Sequence, residues 1–79
     1  MATIQDKTRA LISSKLKVSE SEVTEDKNLF NDLGADSLDL VELLMNLERE
    51  FNVRFQEDET GKINTVGDVY HLIEKYTKK

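Results

Sequence analysis

The apolar positions fall into three helix-like stretches separated by two irregular ones. In the first stretch Ile4, Leu11 and Ile12 share a helical face, and the pattern fades near Lys17. In the last, Val66, Val69, Ile73 and Tyr76 follow a 3, 4, 3 spacing. Each stretch opens with a capping oxygen three residues ahead of a carboxylate: Thr3 and Asp6, Asp36 and Asp39, Thr65 and Asp68. Such pairs satisfy orphan amides and put negative charge at the positive end of the helix dipole. From Lys17 to Ala35 the periodicity fails, which predicts a long loop pinned by Val18, Val23, Leu29, Phe30 and Leu33. Phe51 to Asn64 is ambiguous, with a short helical turn expected around Glu57 to Lys62 and weakened by Gly61. With no convincing alternation elsewhere, the pattern predicts an all-α fold: a small four-helix bundle of three main helices and one short one.

The central helix has more apolar surface than a wall requires. At about 100° per residue, Leu40, Leu43, Leu44, Leu47 and Phe51 gather in one sector, the core face. Leu38, Val41 and Met45 form a second stripe well over a quarter-turn away, bordered by Glu42, Glu48 and Arg49. Two explanations stand at this point. Neighbouring helices could sandwich the helix and bury both stripes. Alternatively, the second stripe is a docking strip, with adaptable apolar contacts ringed by acids that steer and orient a partner.

Length and charge narrow the function. The chain has 79 residues, enough for a single domain over 1–79 but too few for a deep catalytic cleft beside the core. It has no cysteine, hence no disulfide, thiol nucleophile or CxxC-type site. The net charge of −5 argues against nucleic acid as a partner. It is also uneven: Glu20 to Glu59 holds 13 acidic and 3 basic residues, while both ends are weakly basic. Charge at that density fits either solubility or the steering of a basic partner. No apolar run approaches the roughly 20 residues that span a bilayer, and Met1-Ala2-Thr3-Ile4 shows no signal-peptide pattern, so a cytoplasmic monomer is expected.

Among candidate chemistry, Ser37 stands out by position. It falls at the first position of the central helix, directly before the second stripe, with Asp36 as the better cap, so its hydroxyl is left to project into solvent. A helix N-terminus favours a phosphate ester. The only histidine, His71, lies far along the chain, and Gly34-Ala35-Asp36-Ser37-Leu38 is not a nucleophile elbow. Ser37 therefore reads as an acceptor and not as a catalyst. Asp26-Lys27-Asn28-Leu29-Phe30-Asn31 starts like a calcium loop, but Asn31 stands where glycine is required and Ser37 where a bidentate glutamate should be, so no metal site is expected.

Asp32-Leu33-Gly34-Ala35-Asp36-Ser37-Leu38-Asp39-Leu40-Val41-Glu42-Leu43 closely resembles the prosthetic-group site of acyl carrier proteins of bacterial-type, dissociated fatty acid synthesis. Phe30, Leu47-Glu48-Arg49-Glu50-Phe51 and Ile63-Asn64-Thr65-Val66 extend the similarity over essentially the whole chain. The resemblance implies a carrier with no catalysis of its own. Ser37 would receive 4′-phosphopantetheine from coenzyme A by a magnesium-dependent holo-carrier synthase, with Asp36 beside it in the surface that enzyme recognises. Acyl groups delivered by acyltransferases and synthesis enzymes would ride on that arm as thioesters and tuck between the helices. Leu38, Asp39, Val41, Glu42, Met45 and Glu48 would meet basic patches on synthase, reductase and dehydratase partners. Many bacterial relatives carry a proline near position 56, where this chain reads Phe55-Gln56-Glu57, a departure that bears on the short helix and not on Ser37. A dedicated polyketide carrier is the nearest rival within the resemblance. Outside it, the readings are an unmodified acidic adaptor and a divalent-cation buffer.

Overall fold

The computed structural model describes residues 3–77. Four α-helices follow one another: α1 (Ile4–Leu16), α2 (Ser37–Phe51), α3 (Glu57–Thr60) and α4 (Val66–Thr77). All three expected caps form. Thr3 and Asp6 exchange side-chain and backbone bonds, as do Asp36 and Asp39. At α4 the Thr65 hydroxyl accepts from Asp68 N–H, while Asp68 Oδ2 accepts from both Asn64 and Thr65 N–H at 3.0 Å. The first and second helices end at Lys17 and Asn52, both in the left-handed region (φ 58° and 56°). Glycine usually supplies that conformation, and asparagine tolerates it better than lysine.

The core forms where the helices meet the long loop. α1 buries only Thr8 and Ile12, and α2 contributes Leu43, Leu44 and Leu47. From α4 come Val66, Val69, Tyr70, Leu72 and Ile73. The buried Thr8 hydroxyl is not orphaned, since it donates to Ile4 C=O at 2.8 Å. Val23, Leu29, Leu33 and Ala35 join the cluster from the segment between α1 and α2, and Ile63 from the segment before α4. That segment is less formless than its sequence suggests. It holds a 3₁₀ turn at Glu20–Glu22 and an isolated antiparallel bridge from Asn28 to Thr65. Leu29 N–H donates to Asn64 C=O at 2.8 Å and Val66 N–H to Lys27 C=O at 3.0 Å, fastening the loop to the entrance of α4. Gly67 permits that closeness: its N–H reaches Glu25 C=O at 3.0 Å, and a Cβ there would stand 3.2 Å from the same oxygen.

The ambiguous stretch resolves as the weakest element. α3 has four residues, ends at Thr60 and buries none of them. Gln56 gives it no side-chain cap, and Gly61 closes it, so the expected extension to Lys62 does not form. What holds α3 is polar and comes from α4, where Tyr76 and Lys75 both bond the Glu59 carboxylate. Among the described residues no helix is long and apolar enough to cross a membrane.

Leu47 is 0 % exposed at the centre of α2. Leu47→Ala is expected to lower unfolding free energy by about 2–5 kcal/mol in urea titration, through lost transfer energy and the cavity left behind. The α4 cap makes a second expectation. The Asn64 and Thr65 amides hold the Asp68 carboxyl below its ordinary 3.8. A depressed folded-state value stabilises fully above the unfolded value, and that stability is lost as pH falls through the folded one. Asp68→Asn should therefore destabilise at neutral pH, and its difference from the native protein should shrink as melts are repeated below pH 3.8.

Candidate functional site

The residues leading into α2 alternate between core and solvent. Leu33 and Ala35 are buried, and Ala35 N–H donates to Leu29 C=O at 2.8 Å. Gly34 lies between them on the exposed side with φ 77°, a conformation that a side chain would strain. Asp36, Ser37 and Leu38 then emerge together as exposed residues. The cap is made without the serine: Asp36 Oδ1 accepts from Asp39 N–H at 2.7 Å, and Asp39 Oδ2 accepts from Asp36 N–H at 3.3 Å. The Ser37 hydroxyl thus stands at the mouth of a 15-residue helix, outside the capping pair and open to solvent. A tether bonded there would meet no wall of the fold, so the position fits a prosthetic arm.

The second stripe of α2 is not sandwiched. Leu38 is 63 % exposed, and Val41 and Met45 are each 52 % exposed. That removes the explanation in which both faces of α2 are core. Leu40 and Phe51, assigned to the core face, are only half-buried and pack against the edge of the cluster. Leu38, Val41 and Met45, which follow Ser37 along α2, are the large apolar residues left exposed among the described residues.

The acids expected around the strip are all present on it, and each has an internal partner. Asp39 is bound into the cap. Glu42 pairs with Lys15 of α1, a contact across two helices that no local spacing announces. Glu48 Oε2 accepts from Phe55 N–H at 2.8 Å. Beside Glu48 lies a groove of about 320 Å³ in which Val41, Leu44, Met45 and Glu48 of α2 face Phe55 and Thr60. Val41 and Met45 also belong to the strip, so groove and strip share one wall. Phe55 is set by an edge-on contact with Tyr76, with ring centroids 5.2 Å apart at 78°. Gln56 N–H donates to the Tyr76 hydroxyl at 3.0 Å. The Lys75 and Tyr76 bonds to Glu59 hold that carboxyl below its ordinary value, and the same bond raises Tyr76.

Sequence reasoning missed the groove's outer wall, because Phe55 and Thr60 lie in the second of the two stretches without clear periodicity. A partial signal existed: Phe55 is a large apolar residue between a helix stop and an acidic run. His71 is exposed and lines a different cavity, between α3 and α4, that does not include Ser37. The two groups expected not to cooperate are therefore kept apart.

Comparison with known proteins bears on this arrangement directly. Residues 6–73 match the family described as "Phosphopantetheine attachment site". The acyl carrier protein of Thermotoga maritima is 53% identical over 72 residues, covering 91% of this chain and 89% of that one. That of Porphyromonas gingivalis is 49% identical over 78 residues, covering 99% and 100%. Among solved structures, a putative acyl carrier protein from Mycobacterium tuberculosis superposes with a TM-score of 0.87 at 33% identity, covering 92% and 97% of the two chains. The acyl carrier protein from Enterococcus faecalis gives 0.79 at 30% identity, covering 92% of each. With the family matched over most of its length and half its residues shared with bacterial members, this chain belongs to the acyl carrier proteins, which bear phosphopantetheine and carry acyl groups without being enzymes.

Proposed function

We propose that residues 1–79 act as one cytoplasmic, monomeric carrier domain in which Ser37 bears the phosphopantetheine arm. The observation that supports this most is the exposed Ser37 hydroxyl, left out of the cap at the head of α2 and followed by an open apolar strip. The serine oxygen would bond the phosphorus of coenzyme A's pantetheine phosphate, with the adenosine bisphosphate as leaving group. The arm then supplies the thiol that the polypeptide lacks, and thioesters formed on it carry the growing acyl chain.

The surroundings explain why the chain does not modify itself. Asp36 and Asp39 flank Ser37, and their carboxylates oppose an approaching phosphate. His71, the one histidine in the sequence, lines the other cavity, which does not include Ser37. A holo-carrier synthase would have to bring both the base and the cation. In this reading Asp36 belongs to the surface that enzyme grips. The arm, attached beyond the packed core, swings free, and the α2–α3 groove is the apolar space nearest the strip into which a bound chain can fold. Each methylene sheltered there is favoured by about 0.8 kcal/mol.

Docking follows from the same face. Leu38, Val41 and Met45 supply apolar contact, while Asp39, Glu42 and Glu48 provide the potential that draws basic surfaces of synthase, reductase, dehydratase and acyltransferase partners. Glu42 is already shared with Lys15, so part of that attraction is spent within the molecule.

Two measurements test the reading. Incubated with coenzyme A, magnesium and a holo-carrier synthase, the protein should gain the mass of one phosphopantetheine, and Ser37→Ala should gain nothing. Addition that persists in the variant would refute the assignment of Ser37. Separately, Met45→Glu is expected to weaken synthase binding by roughly tenfold or more while leaving the melting temperature nearly unchanged, because Met45 lies outside the core. An unchanged dissociation constant would place the docking surface elsewhere.

A further inference from the structure

Of Asp39, Glu42 and Glu48, the acids beside the strip, only Glu48 has an internal partner in the wall of the groove. Asp39 closes the helix cap and Glu42 reaches back to α1. Glu48 instead governs how the chain leaves α2. Its carbonyl oxygen accepts from Asn52 and Val53 N–H, which stops the helix. Its carboxylate then accepts from Phe55 N–H, which draws the connection to α3 back against α2. Phe55 is the aromatic face of the groove and lies across from Val41 and Met45 of the docking strip.

The opposite side of that wall is held from α4. α3 buries no residue and lacks a side-chain cap at its start. On its far side it depends on Glu59 with Lys75 and Tyr76, on the Gln56 amide with the Tyr76 hydroxyl, and on the Phe55–Tyr76 ring contact. On the α2 side, the Glu48 carboxylate supplies a side-chain bond to the connecting segment, and that carboxylate is half-exposed on the face expected to meet cations.

We propose that Glu48 is a positioning residue that couples docking to the groove: a cationic side chain of a partner that takes its carboxylate frees Phe55 N–H, and with it the groove's outer wall. This rests on the reading that α2 docks basic surfaces and that the acyl chain shelters in the groove. A guanidinium that forks onto both carboxylate oxygens turns the group toward itself and competes with Phe55 N–H for Oε2, which weakens that bond. Binding energy gained at the surface is thereby converted into loosening of one defined segment, residues 52–56. A partner without a cation at that place would dock and leave the groove shut. Glu42 has no such effect, because the partner it would give up is a lysine on α1.

The test uses the unmodified protein, so it does not depend on the fate of Ser37. Amide hydrogen exchange at Phe55 is followed by NMR with and without a blocked hexa-arginine peptide. Saturating peptide should speed Phe55 exchange in the native protein by roughly tenfold, the scale of one hydrogen bond to a charged acceptor. Glu48→Gln keeps an acceptor for Phe55 N–H without the charge, and should stay slow with or without peptide. Glu48→Ala should be fast in both. Unchanged Phe55 exchange in the native protein, at peptide concentrations that shift the Asp39 and Glu42 signals, would overturn the proposal. So would a peptide that shifts none of the three acids, or equal peptide acceleration in Glu48→Gln. Carrier function is read out separately, by thioester hydrolysis on acyl-loaded protein, where Glu48→Ala should leave the chain less protected than Glu48→Gln. Failure to load either protein would refute the Ser37 reading and leave the amide result standing.

Discussion

The structure depends on how the long loop between α1 and α2 is seated. α1 places only two residues in the core, so three helices alone could not close it. The loop supplies Val23, Leu29, Leu33 and Ala35, and reaches them only because its backbone is paired at Asn28 and Thr65. Buried backbone groups need partners, and here the polar ladder of a sheet is replaced by a single bridge and a few turn bonds. The Asn28 side chain adds to this by accepting from Phe30 and Asn31 N–H, both at 2.9 Å, while Asp32 accepts from Asn28 N–H at 2.7 Å. Once Leu33 and Ala35 are anchored, the start of α2 is fixed and Ser37 has nowhere to point but outward. Placement of Ser37 is thus a consequence of core packing four and two residues upstream of it.

The charge distribution follows a related logic. Thirteen acids between Glu20 and Glu59 would repel strongly if all were free. Asp36 and Asp39 are instead hydrogen-bonded at the start of α2, where a carboxylate meets unpaired amides and the helix dipole, and Asp26, Asp32, Glu42, Glu48 and Glu59 each have a partner elsewhere in the molecule. Asp36 and Asp39 stabilise the beginning of α2 and simultaneously surround Ser37 with negative potential. Exposed ion pairs such as Lys15 with Glu42 contribute little to folding, in the range of about 0–1 kcal/mol, so a partner can break them cheaply. Acids used in this way serve local structure in the free protein and remain available when a stronger cation arrives.

How much of this was legible in the sequence depended on whether the determinant was periodic or nonlocal. The three caps formed as expected from spacing within four residues, and so did the centres of the apolar faces of α2 and α4, while Leu40, Phe51 and Tyr76 at their edges are only half-buried and α4 also buries Tyr70 and Leu72. The family signature around Ser37 is likewise contiguous. Thr60 ended α3 earlier than expected because the segment has no apolar face to extend it and Gly61 lowers helix propensity further. The contacts that could not be read join residues with no periodic relation: Asn28 with Thr65, Lys15 with Glu42, Tyr76 with Gln56 and Glu59. Glu48 with Phe55 is nearest to legible, seven apart, yet the bond requires a left-handed residue at Asn52 to turn the chain back. Whether the second stripe was core or surface also needed the structure, since periodicity locates a face without saying what lies against it.

A carrier of this kind has to protect its cargo and also surrender it, and the fold divides those tasks between elements of unequal strength. The α1, α2 and α4 core, with Ile12, Leu43, Leu47, Val69 and Ile73 almost fully removed from water, gives a scaffold that need not change. α3 is joined to that scaffold through half-buried aromatic edges and side-chain hydrogen bonds, with no buried residue of its own. Free energy of local opening scales with buried contact, so the cheapest motion available to the molecule is displacement of α3 and its leading segment. That motion enlarges the groove beside the apolar strip and leaves the seat of Ser37, set by Leu33 and Ala35, undisturbed. The softness is localised by sequence: a four-residue acidic helix without a cap, closed by glycine, between two helices that are capped and apolar on one full face.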